Sequence, residues 1–425
     1  MVGIVGYTKD GPGVPDSVLD SMAAEVKHFP HHKVESQYGE RLNIARVHLA
    51  ILNPGQQPAK SASGATLVFG EGMAYGGSGA GTNTWLERLA EDFEVRREKA
   101  LKDLNGSFSL VIVESGKGLV HLVSDRYGSR PMYYWSNGVV TVFGSEPKAI
   151  LRHPGYRKRL NMVAMSKFLR YGRLCLFGND TWFEGVLAIP PGTVLTVEKG
   201  SASSSQYWDL EYAPDEGENL DGITERLVRS FREAVRIRTS NEGLRYSVAL
   251  SGGLDSRAVL AGGAGQSKLT TYTMGVERSR ELGIARRVAN RAGVEHMVVP
   301  SDPESTAARA PDVVSLSDGM EVVGISFLLH SDEKLRGRID VSLDGFALDL
   351  TLGGSFLRKS TMDARGVSEL ASLLDAKFTV FGDKELKKLV TPAFLSMMGD
   401  CATGEFRALV KIGRASCRER VYVLV

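Results

Sequence analysis

Along residues 1–200 the apolar positions come in short runs divided by Gly, Pro, Asn and Ser. The runs include "LNIARVHLAIL", "ATLVFGEGMAYG", "GSFSLVIVE", "KGLVHLVSD", "PMYYWSNGVVTVFGS" and "TVLTVEKG". Such runs predict strands joined by turns. "VESGKGLV" predicts a hairpin around Gly116 and Gly118, and Asn137-Gly138 a two-residue hairpin turn. A helix is expected over about 84–103. Residues 201–219, "SASSSQYWDLEYAPDEGEN", are polar and aperiodic and read as a linker. Beyond them the pattern changes. Ile223, Leu227, Phe231 and Val235 recur every fourth residue, one face of an amphipathic helix. Strand "RYSVAL", helix "DSRAVLAGG", strand "LTTYTMG", helix "SRELGIARRVANRAG" and strand "EHMVVP" then alternate, with another strand at "IDVSLDG". That alternation predicts a parallel sheet covered by helices on both faces. Gly293 fits the stop of the second helix, and residues 367–410 read as helical. The expected organisation is two domains, 1–200 and 220–410, with the linker 201–219 between them.

Composition narrows the function classes. The 425 residues are 43% hydrophobic and 24% charged, with a net charge of +2. This is the balance of a soluble globular chain, and the dispersed Lys and Arg give no nucleic-acid footprint. Cys175, Cys401 and Cys417 form no CxxC pair, which argues against a structural zinc site and a disulfide framework. No apolar run reaches the roughly 18 residues of a membrane span, and the start "MVGIVGYTKDG" lacks a signal-peptide pattern, so a cytoplasmic protein is expected. The last residues, "KIGRASCRERVYVLV", break the preceding pattern. Back-translated, Ile412 to Val421 resembles a sequencing-library adapter, so 411–425 are expected to be non-native and the natural product to continue past about residue 410.

The stretch "SVALSGGLDSRAVL" (247–260) carries the chemistry. It reads as a strand, a tight turn and a helix start. Gly252 and Gly253 allow backbone N–H groups to converge and a ligand to approach closely, while Ser251 and Ser256 add hydroxyls. The helix N-terminus favours an anion, most simply phosphate. Asp255 would repel phosphate unless a cation lay between them, which predicts Mg²⁺. The loop is not a GxxxxGK[ST] motif.

Ser-Gly-Gly-Leu-Asp-Ser, with Leu254 completing it, resembles the pyrophosphate loop of ATP pyrophosphatases. The N-terminal half narrows the resemblance. "SDRYGSRPMYYW", "FGSEPKAIL", "LNGSFSLVIVE", "TWFEGVLAIPPGTVL" and "QYWDL" resemble the glutaminase-like domain of asparagine synthetases, in family order over about 1–360. The resemblance implies an Ntn-type αββα sandwich followed by a parallel-sheet ATP-pyrophosphatase domain of the adenine nucleotide alpha hydrolase-like class. It implies ATP and Mg²⁺ as cofactors. The implied reaction adenylates a carboxylate, aspartate by family weight, releases pyrophosphate, and then lets an amine or ammonia displace AMP. Small-molecule substrates and a homodimer are expected, with no nucleic-acid or membrane partner. By the same resemblance Leu250, Met274 and Gly275 hold the nucleotide with the loop residues 251–256. "VSLDGFALDLTLGGSF" matches the family's S-G-x-G-x-D-E-x-x-G-G-Y loop, bringing in Asp344, Gly345, the metal-binding candidate Asp349, Gly353 and Gly354. Glu281 is either a metal or pyrophosphate contact or a helix N-terminal acid.

Three departures qualify this. The family nucleophile is a cysteine directly after the initiator Met, and Val2 stands there. Valine has no nucleophilic atom. The family's Asn-Gly-Glu is Phe69-Gly70-Glu71 here, so the glutamine pocket of Arg46, Gly70 and Glu71 is expected to be vestigial, with Arg46 serving as a surface or interdomain ion pair. In the synthetase half, Phe346 replaces a glutamate linked to amide formation and Leu350 replaces a second acid. These changes keep open a β-lactam-synthetase-like or lasso-peptide-cyclase-like ligase, and a non-catalytic nucleotide-binding protein.

Overall fold

The computed structural model describes residues 3–10, 13–75, 84–172, 174, 178–211, 217–265, 269–346, 348, 359 and 363–398. Val2, the cysteines, Asp349, Leu350, Gly353, Gly354 and the tail 411–425 lie outside the described residues.

The N-terminal half stacks two antiparallel sheets between helices. Strands β1 (Gly3–Thr8), β2 (Lys33–Tyr38), β3 (Leu42–His48), β8 (Tyr133–Ser136), β9 (Thr141–Gly144) and β10 (Leu187–Ala188) form one six-stranded sheet, ordered β10-β8-β9-β1-β3-β2. Strands β4 (Ala59–Lys60), β5 (Thr66–Ala74), β6 (Gly106–Glu114), β7 (Leu119–Ser124), β11 (Thr193–Glu198) and β12 (Ser201–Gln206) form the other, ordered β12-β11-β7-β6-β5-β4. Side chains alternate between the layers. Ile4, Ile44, Phe69, Val111, Leu122 and Phe143 fill the space between the sheets. Val5, Tyr7, Ala45 and Val142 face Leu19, Met22 and Val26 of helix α1 (Ser17–Val26). Val68, Leu110 and Ile112 face Leu86, Leu89 and Phe93 of helix α2 (Thr84–Arg96). Both faces of each central strand are covered, which is why "SLVIV" runs apolar without alternation. The result is the αββα sandwich.

Local expectations are adjusted in four places. The predicted linker starts too early: residues 201–206 are the edge strand β12, paired along its whole length with β11, and Tyr207 is buried against the sandwich. Polar alternation there marks a half-exposed edge strand, which composition alone cannot separate from a linker. The turn after β8 closes with Asn137 N–H donating to the Val140 carbonyl, so its two central residues are Gly138, at φ +83°, and Val139, one position later than the expected Asn137-Gly138 pair. The helix expected over 84–103 is interrupted at Arg97, which has φ +57°, before helix α3 (Glu98–Lys102); the short helices α4 (Pro147–Ile150) and α5 (Met162–Tyr171) come later in this half. The fourth concerns helix α6 (Leu220–Arg238). Val235 of its apolar stripe is buried and Phe231 packs on the core, whereas Ile223 and Leu227 are exposed.

The second half is a parallel sheet. Strands β13 (Tyr246–Ala249), β14 (Leu269–Gly275), β15 (His296–Pro300) and β16 (Val341–Leu343) are ordered β15-β14-β13-β16, all pairs parallel. Helices α7 (Leu254–Gly262) and α8 (Arg280–Ala292) connect them, and α8 stops at Gly293 with φ +69°. Helices α9 (Pro303–Ala308), α10 (Ala310–Ser317) and α11 (Ser326–Leu335) follow β15. The core combines Tyr246, Val248, Leu250, Val259, Leu260, Ala285 and Ala289.

The halves meet through several contacts. Ile51 and Leu52 of the sandwich pack on the parallel-sheet core. The Arg238 guanidinium lies 4.6 Å over the Tyr75 ring. Lys148 pairs with Asp318 at 3.3 Å, and Trp182 donates its indole N–H to the Gly319 carbonyl at 2.9 Å. Arg170 reaches Asp383 at 3.0 Å and Asp375 at 3.3 Å, both on the helical segment 367–389.

Candidate functional site

In open parallel sheets, ligands bind beyond the carboxyl ends of the strands, where loops and helix N-termini converge. A pocket of about 470 Å³ lies there, over β13, β14 and β15. Leu250, Ser251, Met274, Gly275 and Val276 come from the first two strand ends, and Ser301, Asp302 and Thr306 from the third. Glu281 and Phe327 line it from α8 and α11. The structure therefore brings together Leu250, Ser251, Met274 and Gly275, which the sequence names 20 and more residues apart. It also puts Glu281 on the pocket wall, while the N-cap of α8 falls to Ser279, whose hydroxyl accepts from Leu282 N–H at 3.2 Å.

The 251–256 turn is held by its own side chains. Ser256 is buried, and its hydroxyl accepts from Ser251 N–H at 3.1 Å and lies 3.0 Å from the Ser251 hydroxyl. Ser251 Oγ in turn accepts from Gly253 N–H at 3.1 Å. Both hydroxyls, expected from the sequence as ligand donors, brace the turn here by accepting from two of its N–H groups. The N–H groups of Gly252, Leu254 and Asp255 have no acceptor among the described residues, and they sit at the positive end of α7. The Asp255 carboxylate has no hydrogen-bond or ion-pair partner among the described residues.

Strand β16 closes the site from the other side. Asp344 accepts from Phe346 N–H at 3.0 Å, forming a tight turn. Between them Gly345 lies directly on the start of α7. A Cβ there would be 2.7 Å from both the carbonyl carbon and the Cβ of Asp255, and 2.9 Å from Ser256 N. Only glycine fits that approach. Asp344 and Gly345 thus reach the phosphate-loop candidate through Asp255 and contribute nothing to the lining of the pocket over β13–β15.

The second cluster named from sequence lies inside the sandwich. Arg46 is 2% exposed, which corrects its expected place at a surface or interdomain pair. Its Nε donates to Glu71 at 2.5 Å, and Nη1 to Glu35 at 3.3 Å and the Gly55 carbonyl at 3.4 Å. Nη2 donates to the carbonyls of Leu52 at 3.3 Å and Asn53 at 2.6 Å. All five guanidinium donors are used within the protein. Burial pushes the Glu71 carboxyl up, against the pull of Arg46. Gly70 faces Leu86 and Leu110, and Phe69 belongs to the core between the sheets.

Tyr272, Thr273, Val276, Ser301, Asp302, Thr306 and Phe327 also line the pocket and were not singled out from sequence. The strand ends at Gly275 and Pro300 would have located Val276, Ser301 and Asp302. Phe327 carries no local signal.

Residues 1–208 match the family model of the glutamine amidotransferase domain, and residues 226–397 that of asparagine synthase. Asparagine synthetase [glutamine-hydrolyzing] 3 of Bacillus subtilis (strain 168) is 29% identical over 288 residues, 63% of this chain and 46% of that protein. Asparagine synthetase [glutamine-hydrolyzing] 2 of the same organism is 26% identical, over 60% of this chain and 37% of that protein. The chain thus spans less than half the length of these curated relatives. Among solved structures, glutamine phosphoribosylpyrophosphate amidotransferase from B. subtilis is similar at TM-score 0.35 and 14% identity, over 70% of this chain and 65% of that one.

Proposed function

The chain belongs to the asparagine synthetase family, and on that premise we propose that it is an ATP-dependent carbon–nitrogen ligase without glutaminase activity of its own. The observation that carries this reading is the pocket over β13–β15 ending on a braced, lysine-free turn whose three N–H groups and one carboxylate have no partner among the described residues. The pocket takes the nucleoside. The turn takes the β- and γ-phosphates through the N–H groups of Gly252, Leu254 and Asp255. A carboxylate substrate, aspartate by family weight, attacks the α-phosphorus; the bond to the bridging oxygen breaks and pyrophosphate leaves. An amine or ammonia then attacks the acyl carbon, AMP departs, and the nitrogen releases a proton.

Mg²⁺ fits the residues present. Asp255 is half-buried and has no partner among the described residues, and Mg²⁺ needs only one or two carboxylates beside substrate phosphates. Asp255 would hold it, with Asp349 as second candidate; when bound, the ion offsets charge on the phosphates. The protein's own part is electrostatic and geometric: oriented N–H groups at a helix start, fixed in advance by Ser251, Ser256 and Gly345.

The loss of glutamine hydrolysis rests on Val2, where the family has its nucleophile, and on Arg46, whose donors are all occupied. The sandwich, 1–208, then serves as a structural partner of the synthetase half through the Lys148, Arg170 and Trp182 seam. Exchange of labelled pyrophosphate into ATP, dependent on a carboxylate, tests the ligase reading. ADP as product, or no exchange with any carboxylate, would overturn it. Glutamate release from glutamine would overturn the second part.

A further inference from the structure

Helix α6 is anchored in its second half only. There Val235 is buried, and Val235 and Phe231 lie against Gly262 of α7. Residues 223–230, more than two turns, are all exposed. So is the apolar stripe at this end of the helix: Leu220 is 78% exposed, Ile223 40%, and Leu227 and Val228 42% each. Scattered apolar side chains on a surface need no explanation. These four fall within nine residues, and the spacing of Leu220, Ile223 and Leu227 puts those three on one face. Helices in proteins draw most of their stability from packing such a face, and here it is left to solvent. The charges on the same helix are segregated. Residues 218–225 carry Glu218, Asp221 and Glu225 and no cation, whereas 226–238 carry five arginines and one acid, Glu233. A groove of about 920 Å³ runs beside the basic half, lined by Arg229, Arg232 and Arg236 together with Glu225 and Glu233. Arg236 pairs with Glu233 at 2.6 Å, while Arg229 and Arg232 have no partner among the described residues.

We infer that this face binds a second copy of the chain, with α6 packed antiparallel on α6 about a two-fold axis. Such an axis, perpendicular to the helix, makes the contact self-complementary and closed. It sets the acidic half of each α6 against the basic half of the other and opposes the two helix dipoles. A parallel pair would put acid on acid and arginine on arginine. The stripe has the matching symmetry. With the axis between Ile223 and Thr224, Leu220 of each copy faces Leu227 of the other, Glu218 faces Arg229, and Asp221 faces Arg226. Within one chain Arg226 already pairs with Glu218, so the facing acids and arginines join into one network. An apolar centre is thereby flanked by a charged rim, the usual anatomy of an interface. One helix pair lies at the small end of interface sizes, so a dissociation constant in the micromolar range is expected. The inference does not depend on the ligase reading.

Sedimentation velocity of the full chain over about 1–100 µM tests this. The native protein should pass from monomer to dimer within that range, and the dimer should weaken as salt rises. Leu227→Glu should weaken it at least about tenfold, because a carboxylate would be buried without a partner opposite Leu220. Charge reversal tests the orientation. Glu218→Arg with Asp221→Arg makes the whole face basic, and Arg226→Glu with Arg229→Glu makes it acidic. Each double variant alone should stay monomeric, and an equimolar mixture of the two should form a one-to-one heterodimer. Circular dichroism and urea midpoints should stay native-like throughout, since exposed charges contribute little to stability. A native chain that stays monomeric over the whole range, a dimer indifferent to Leu227→Glu, or a mixture that does not associate would overturn the inference. So would binding of the monomer to vesicles containing phosphatidylserine, lost in Leu227→Glu, which would assign the face to a membrane surface instead.

Discussion

Gly345→Ala tests how the site is assembled. The added Cβ would sit 2.7 Å from two Asp255 carbons and 2.9 Å from Ser256 N. Ordinary carbon contacts lie at roughly 3.5–4.0 Å, so the surfaces must part by about 1 Å. Neither neighbour is the tip of a flexible side chain. On one side is the start of α7, anchored by buried Ser256, Val259 and Leu260. On the other is the short strand β16, whose Val341–Leu343 pair with β13. Overpacking of this kind costs about 1–3 kcal/mol, and here we expect about 2 kcal/mol, read as a lower midpoint in urea unfolding. The functional cost should be larger. A displacement of about 1 Å at a site that orients reacting groups can cost about 10²-fold in rate, so pyrophosphate exchange should fall by about that factor and ATP affinity, by calorimetry, should weaken with it. Gly283→Ala is the control. It lies inside α8 with nothing within 4 Å of the added Cβ, and should stabilise the protein by about 0.5–1 kcal/mol without weakening ATP binding. A Gly345→Ala protein with native stability and native ATP affinity would refute the packing of the 344–346 turn on Asp255.

Further outcomes follow from the same geometry. Asp255→Asn keeps the shape of the turn but removes its charge, and should cut carboxylate-dependent exchange about 10²-fold or more, the usual scale for one lost electrostatic stabiliser; undiminished exchange would show that Asp255 holds no cation. Ser256→Ala should cost about 1–3 kcal/mol in urea unfolding, because it leaves Ser251 N–H without its acceptor; an unchanged midpoint would return the hydroxyl to the role of ligand donor. Arg46→Met should destabilise by about 3 kcal/mol, since Glu71 stays buried without its partner, and adding Glu71→Gln should recover part of that loss; a neutral single variant would contradict the buried pair. Burial, with His31 and His28 nearby, pulls the His32 imidazole down to about 4 against Glu146. The unfolded chain therefore binds more protons between about pH 6.5 and 4, so this contribution to stability is complete above about pH 6.5 and is lost as pH falls towards 4. His32→Asn should flatten that part of the stability curve, and equal slopes would refute the assignment.

Much of this protein is determined by its sequence. The apolar runs of 1–200, the alternation of strands and helices after 245, and the Ser251–Ser256 string are local properties, because side-chain periodicity and turn chemistry act over a few residues. They suffice to locate the parallel sheet and the strand-to-helix turn. The tertiary structure decided whatever depends on which distant residue arrives next to another. Residues 201–206 are a strand only because β11 is there to pair with them. Arg46 is buried because β5 carries Glu71 to it across 25 residues of chain. Gly345 must be glycine because a strand almost a hundred residues on lands upon Asp255. Phe346 could be seen in the sequence as a departure from a pattern. Its position beside the phosphate turn follows from the β15-β14-β13-β16 order, which the packing of helices against the sheet selects and no local signal encodes.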